Sequence, residues 1–148
     1  MAEPRRDPRV VSAVMRRVRS AHTAPEMALR RELHRRGLRY RVHDARLPGK
    51  PDLVFRSARV VVFVDGDFWH GRQWKQRGHP DLASQFTHNR EYWVTKISRT
   101  IARDAGIRRE LIAAGWDVVR IWETDLHEDL RGWADKVEAR VRRARSVA

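Results

Sequence analysis

The spacing of apolar positions divides the chain into helical and extended segments. Residues 1–9 are polar and carry Pro4 and Pro8, as a leader segment would. Val11, Val14, Met15 and Val18 then recur at helical spacing with arginines between them, predicting a short basic helix over 10–19. Thr23 followed three residues later by Glu26 has the form of a capping box. It opens a second predicted helix that runs to about Arg36, with Met27, Leu29 and Leu33 as its apolar positions and Gly37 as its stop. Beyond Gly37 the period becomes extended. A strand is predicted over 38–42, a turn at Leu47-Pro-Gly-Lys50, and a hairpin of 52–55 with 59–64 around Arg56-Ser-Ala58. The run Val60-Val-Val-Phe-Val64 is nearly all apolar, as a central strand buried on both faces should be.

Residues 65–90 contain Gly, His and Trp without periodicity, and a loop of that length inside a compact domain usually has a task. Trp93, Ile97, Ile101, Ile107 and Leu111 mark a long helix ending at Gly115. Residues 116–122 form another apolar strand, and 128 to the end form a basic amphipathic helix. The order helix, strands, helix, strand, helix predicts a single α/β domain over 1–148, a central mixed β-sheet flanked by helices.

Composition adds a partner class. The 148 residues are 41% hydrophobic with six Trp, so the mean hydropathy of -0.70 reflects a charged surface on a folded core. Thirty-two Lys and Arg against 19 Asp and Glu give a net charge of +13, which favours a polyanion. An arginine-rich composition or an acidic lipid surface would read the same way from charge alone. Cysteine is absent, which excludes disulfides and thiolate metal sites. No stretch approaches the roughly 20 apolar residues of a membrane span, and the first residues lack a signal-peptide run. The expectation is a cytoplasmic protein with no membrane partner.

Few residues have the makings of chemistry. Pro51-Asp52 places a carboxylate at a strand start, where oxygen ligands can hold a hard cation; a turn pair has the same form. Asp65 ends the buried strand and would stand beside Asp52, and two crowded carboxylates call for a cation or a proton between them. Asp65-Gly66 is also an ordinary turn. Glu26 has its explanation in the capping box. His70, in the loop behind Phe68-Trp69, has the pKa range of a general base or acid. Asp104 either pairs with Arg103 or Arg108 on a solvated face or orients His70. Phe68 and Trp69 are adjacent large rings that cannot easily share one core, so at least one should be exposed; such rings beside a basic face can wedge into or stack on bases.

Together these stretches resemble the very short patch repair (Vsr) family of mismatch endonucleases, in the PD-(D/E)XK nuclease superfamily, over roughly 8–126. The matching segments are Thr23-Ala-Pro-Glu26, Leu47-Pro-Gly-Lys-Pro-Asp52, Val62-Phe-Val-Asp-Gly-Asp-Phe-Trp-His70, Tyr92-Trp-Val-Thr-Lys96, Arg103-Asp104 and Gly115-Trp-Asp-Val-Val-Arg-Ile-Trp-Glu123. The resemblance implies a restriction-endonuclease-like core and a Mg2+-dependent enzyme that nicks one DNA strand 5′ to the T of a T:G mismatch. It implies Asp52 as the principal metal ligand beside the backbone carbonyl of Val64, with Glu26 and His70 acting through water and Asp104 supporting His70. Asp65 joins the expected metal and catalytic set. Phe68, Trp69 and Trp93 match aromatics that wedge beside the mismatch, and the helix around Met15 would lie on the minor-groove side. Lys96, Arg16 and Arg17 complete the expected DNA-binding set, and the partner is duplex DNA engaged by a monomer.

Three departures qualify the resemblance. Family members usually carry a structural zinc held by Cys and His; the corresponding positions here are Asp67, Arg72, Trp74 and Thr124, so no structural zinc is expected and Trp74 packing is the expected substitute. Asp65 stands where better-known members have His, and Thr100 where Asn is common. Two alternatives stay open: a related nuclease of a restriction or defence system with another DNA target, and a non-catalytic basic DNA-binding module. Loss of the acids would mark the latter, yet Glu26, Asp52, Asp65 and Asp104 are all present.

Overall fold

The computed structural model describes residues 23–147; the helix expected over 10–19, with Met15, Arg16 and Arg17, lies outside them. Helix α1 spans Ala24–Arg35, with Thr23 in extended backbone as its N-cap and Pro25 in its first turn. Gly37, at φ +87°, ends it, and the Leu38 amide returns to the Leu33 carbonyl at 3.0 Å. The expected capping box does not form. Thr23 makes no side-chain cap bond, and Glu26 is buried and turned to other partners.

Four strands follow: β1 (Arg41–Val42), β2 (Leu53–Phe55), β3 (Val60–Asp65) and β4 (Asp117–Trp122), side by side in that order. β1 pairs antiparallel with β2 and β2 with β3, while β4 runs parallel to β3. The sheet is therefore mixed, as expected. The strand expected over 38–42 shrinks to two residues because the chain before it is used otherwise. Leu38 is fully buried, and Tyr40 stands edge-on to Phe55 at 5.8 Å with its hydroxyl donating to the Arg30 carbonyl at 2.7 Å.

Between β3 and β4 the chain forms a short helix α2 (Gln73–Gln76), a 3-10 turn at Ala83–Gln85, and the 24-residue helix α3 (Arg90–Ala113). Gly115 at φ +90° ends α3. After β4 come α4 (Glu123–Glu128), a short helix that the apolar spacing did not predict, and α5 (Leu130–Val147), the basic helix expected from 128.

Both faces of the sheet are covered. Leu53, Phe55, Val60 and Val62 pack with Leu29 and Leu33 of α1 and Ala134, Val137 and Val141 of α5. Val54, Val61, Phe63 and Val118 pack with Ile107 and Leu111 of α3. This alternation orients the site. Asp52, Asp65 and Arg120 continue the Val54, Val61–Phe63 and Val118 positions, so all three fall on the α3 face. A third cluster, Trp69, Phe86, Trp93 and Ile97 with Phe68 at its margin, anchors the long loop to α3. Gly71 seals that contact: its φ is +80°, and a β-carbon there would lie 2.4 Å from Ile101 Cδ1. Among the described residues no helix is long and apolar enough to cross a membrane.

Leu33 is fully buried between α1 and the sheet, so Leu33→Ala should cost about 2–5 kcal/mol in chemical denaturation. Ile112, half exposed on α3, should cost under about 1 kcal/mol on the same substitution, and comparable losses at both sites would contradict this assignment of the core.

Candidate active site

A cleft of about 740 Å³ opens at the C-terminal end of β3, and Glu26, His43, Asp52, Asp65, His70, Asp104, Arg120 and Glu123 all face it. The chain brings them there from α1, the β1–β2 connection, both ends of the hairpin, the loop, α3, β4 and the start of α4.

Asp52 is fixed by the hairpin: its Oδ2 accepts the Val64 amide at 2.7 Å. On its other side lie Glu26 and His43. His43 Nε2 stands 3.1 Å from Glu26 Oε2, and its Nδ1 stands 3.5 Å from Asp52 Oδ1. One ligand atom from each of Glu26, His43 and Asp52 falls within 4.8 Å of the others, a donor set that a divalent cation fits. Arg30, at 3.3 Å from Glu26 Oε2, offsets part of the negative charge. It does not offset all of it. Burial, then the charge and hydrogen bond of Glu26 and the charge of Asp65, push the Asp52 carboxyl up to about 7, against the Val64 amide, which pulls it down.

Asp65 lies on the same face but outside that trio. Its two oxygens are taken by Arg120, at 2.7 Å from Nε and 3.2 Å from Nη2. Arg120 Nη2 also lies 3.3 Å from Asp104 Oδ1. His70 sits between the two acids, with Nδ1 hydrogen-bonded to Asp104 Oδ2 and Nε2 3.7 Å from Asp65 Oδ1. Burial raises the Asp104 carboxyl, but the His70 hydrogen bond and the charges of His70, Arg120 and Arg103 outweigh it, leaving the group below its ordinary value. An ionised carboxylate can only accept, so Nδ1 carries a proton in this bond, and in the neutral ring Nε2 is the nitrogen with the lone pair. Glu123, at the cleft margin, is raised by burial and by the charge of Asp67.

Sequence reasoning missed His43 and Arg120. His43 gives no local signal; only the β1–β2 pairing, with its amide donating to the Asp52 carbonyl at 3.1 Å, sets it against Asp52. Arg120 did give one, as a lone cation inside an apolar strand, which must find an acid.

The aromatic expectation needs correcting. Phe68 and Trp69 do share one cluster: they meet edge-on at 5.3 Å, both reach Trp93, and Trp69 and Trp93 are buried while Phe68 is half-buried. The edge-on geometry is what lets two adjacent rings fit. Outside them runs a groove of about 780 Å³ lined by Trp69, Tyr92, Lys96, Arg99, Thr100 and Arg103. Lys96 Nζ lies 5.3 Å from the Trp69 ring and 5.7 Å from that of Tyr92. Arg103 borders both groove and cleft.

The positions corresponding to a structural zinc do not fit one. Asp67 accepts from the Thr124 hydroxyl, to which Gln76 also donates at 3.3 Å, and Arg72 binds Asp125 at 2.6 Å while lying 5.3 Å from the Trp122 ring. One carboxylate beside a guanidinium, an indole and a hydroxyl is not a zinc donor set. Polar pairing links the loop to the end of β4 and α4. Trp74, half-buried against Lys75 at 5.2 Å, takes no part in it, contrary to the packing role expected.

An α/β core with paired acids at the end of its central strands, a carboxylate-held imidazole beside them and a basic groove alongside defines a nuclease. The comparisons agree. The family described as DNA mismatch endonuclease Vsr matches residues 5–76. The type II nicking enzyme V.NmeDIP of Neisseria meningitidis is 41% identical over 84% of this chain and 80% of its own length. The type II nicking enzyme V.XorIIP of Xanthomonas oryzae is 42% identical over 78% and 80%. The DNA mismatch endonuclease Vsr of Escherichia coli is 37% identical over 76% and 68%. The chain belongs to the Vsr family and is a DNA endonuclease of the nicking type.

The raised Asp52 carboxyl has a signed consequence. The unfolded chain releases this proton near pH 4 and the folded one near 7, so without metal the group's contribution to stability falls as pH rises between those values. Asp52→Asn removes that penalty. Metal-free Asp52→Asn should therefore gain roughly 2–4 kcal/mol on the parent between pH 4 and pH 8. Denaturation at both pH values checks this, and a pH-independent difference contradicts it.

Proposed function

We propose that this endonuclease uses Mg2+ to nick one strand of duplex DNA 5′ to the T of a T:G mismatch. The observation that carries the catalytic reading is the His70–Asp104 hydrogen bond facing the same cleft as the Glu26–His43–Asp52 trio. Asp52 and the backbone carbonyl of Val64 hold the ion, Glu26 acts through a bound water, and His43 fixes the two acids relative to each other. When bound, the ion supplies Lewis-acid stabilisation of the charge developing on the phosphate. His70 Nε2 takes the proton of the attacking water, and Asp104 holds the ring and offsets the imidazolium that results. The basic groove along α3, through Lys96, Arg99 and Arg103, takes the DNA backbone.

Mismatch selectivity comes from the aromatic cluster. A mismatched pair stacks less well than a matched one, so opening the step beside it costs less. On this reading Phe68, at the margin of the cluster, enters such a step, with Trp69 of the groove wall and Trp93 behind it in support. That the Escherichia coli relative is a DNA mismatch endonuclease supports this target. A nicking enzyme with another duplex target is the second reading, favoured by Asp65 being engaged by Arg120 where better-known members have His. The protein acts as a monomer in the cytoplasm.

The test is a Mg2+-dependent nicking assay on T:G, other mismatched and matched duplexes with mapped ends. The T:G strand should be cut 5′ to T, and equal cutting of matched duplex would refute the target. Asp52→Ala should lower the nicking rate at least about 10³-fold while duplex affinity in low salt changes less than about threefold, because affinity rests on phosphate contacts. Phe68→Ala should reduce the preference for mismatched duplex by about tenfold with little effect on matched binding. An equal loss on both duplexes would make the ring purely structural.

A further inference from the structure

We propose that Arg120 is a positioning residue of the reaction, clamping Asp65 and Asp104 so that neither acid draws His70 Nε2 away from the cleft. The inference rests on the nicking reading above. Two carboxylates flank one imidazole: Asp104 bonded to Nδ1, and Asp65 3.7 Å from Nε2. An unrestrained Asp65 would close on Nε2 and hold the ring as the imidazolium, the second proton coming from solvent water, so that both N–H groups donate to acids and no lone pair is left for the attacking water.

Arg120 prevents this by geometry. Its planar fork engages both Asp65 oxygens, at 2.7 and 3.2 Å, and one of its nitrogens reaches Asp104 Oδ1 at 3.3 Å. The guanidinium is held from below by the Phe63 ring, 4.3 Å away, on the α3 face of the sheet. All four side chains are largely buried: His70 is 7% exposed, Asp65 8%, Asp104 16% and Arg120 20%. Water therefore screens the contacts little, and direction counts. Arg120 also accounts for Asp65, which it neutralises as a partner and separates from the metal-binding trio. Lysine would keep the charge and lose the fork.

The test uses the full chain and compares the parent with Arg120→Met, Arg120→Lys, Asp65→Asn and the double variant Asp65→Asn/Arg120→Met. Arg120→Met should slow single-turnover nicking at saturating duplex by about 100-fold, the scale of a misplaced catalytic group. Duplex Kd, measured with Ca2+, and Mg2+ affinity of the free protein, by titration calorimetry, should both stay within about threefold, since Arg120 acts on neither. Arg120→Lys should lie between. The double variant should recover at least about tenfold over Arg120→Met, because the stray carboxylate is gone. If Arg120→Met nicks at the parental rate, if its Mg2+ affinity falls with its rate, or if the double variant is no faster than the single, the clamp is overturned. A parent that nicks no duplex would instead refute the functional reading. The clamp is then decided by a crystal structure of Arg120→Met, or of Arg120→Lys if the former does not fold. A His70 ring shifted toward Asp65 supports it, and an unmoved ring overturns it.

Discussion

Negative charge gathered in one poorly solvated place governs this structure. Glu26, Asp52, Asp65 and Asp104 line one cleft in a chain whose net charge is +13, and Glu26 and Asp65 are nearly inaccessible. Such groups repel each other and lose hydration, so each needs a cation or a donor. The fold supplies partners unevenly. Among the described residues, Asp65 and Asp104 are paired with Arg120 and His70, while Asp52 and Glu26 meet the Val64 amide, Arg30 at 3.3 Å and a shared His43. That side is where we place the divalent ion, beside an Asp52 carboxyl that burial and the neighbouring acids raise.

The same uneven pairing separates two tasks. On one side, the oxygens proposed to hold the ion come from the hairpin, with Glu26 of α1 beside them, on elements locked by Leu29, Leu33 and the buried β2–β3 pair. On the other, the imidazole rides on a loop fixed by three devices: the aromatic cluster with α3, the approach of Gly71 to Ile101, and the Asp67–Thr124 and Arg72–Asp125 bonds. Those polar bonds stand where relatives of this family use a metal, so order in the loop comes from many modest contacts in place of one strong site. A basic groove then continues from the cleft along α3, so the proposed reacting groups and the proposed DNA-binding surface are contiguous.

Much of this was legible in the residues, for stated reasons. The all-apolar Val60–Val64 run could only be a central strand, and the two glycines at 37 and 115 end their helices where the period stops. The hairpin set Asp65 beside Asp52, and the structure has both on one face of the sheet. What escaped was decided by long-range pairing. Glu26 looks like a capping residue until the sheet brings His43 to it, and His43 has no local motif. Phe68 and Trp69 looked incompatible with one core because sequence cannot give the edge-on angle that makes them compatible. The short helix α4 and the shortness of β1 likewise had no signal in the local pattern.

The central claim is that the divalent ion belongs to Asp52 and its neighbours, with Asp65 left to Arg120. The most direct measurement is an anomalous-scattering map of crystals soaked with Mn2+. The account predicts a peak in bonding contact with an Asp52 oxygen, and the Asp65–Arg120 pair intact beside it. A peak bound by Asp65 with the pair broken, or no peak near Asp52 at saturating metal, would contradict it.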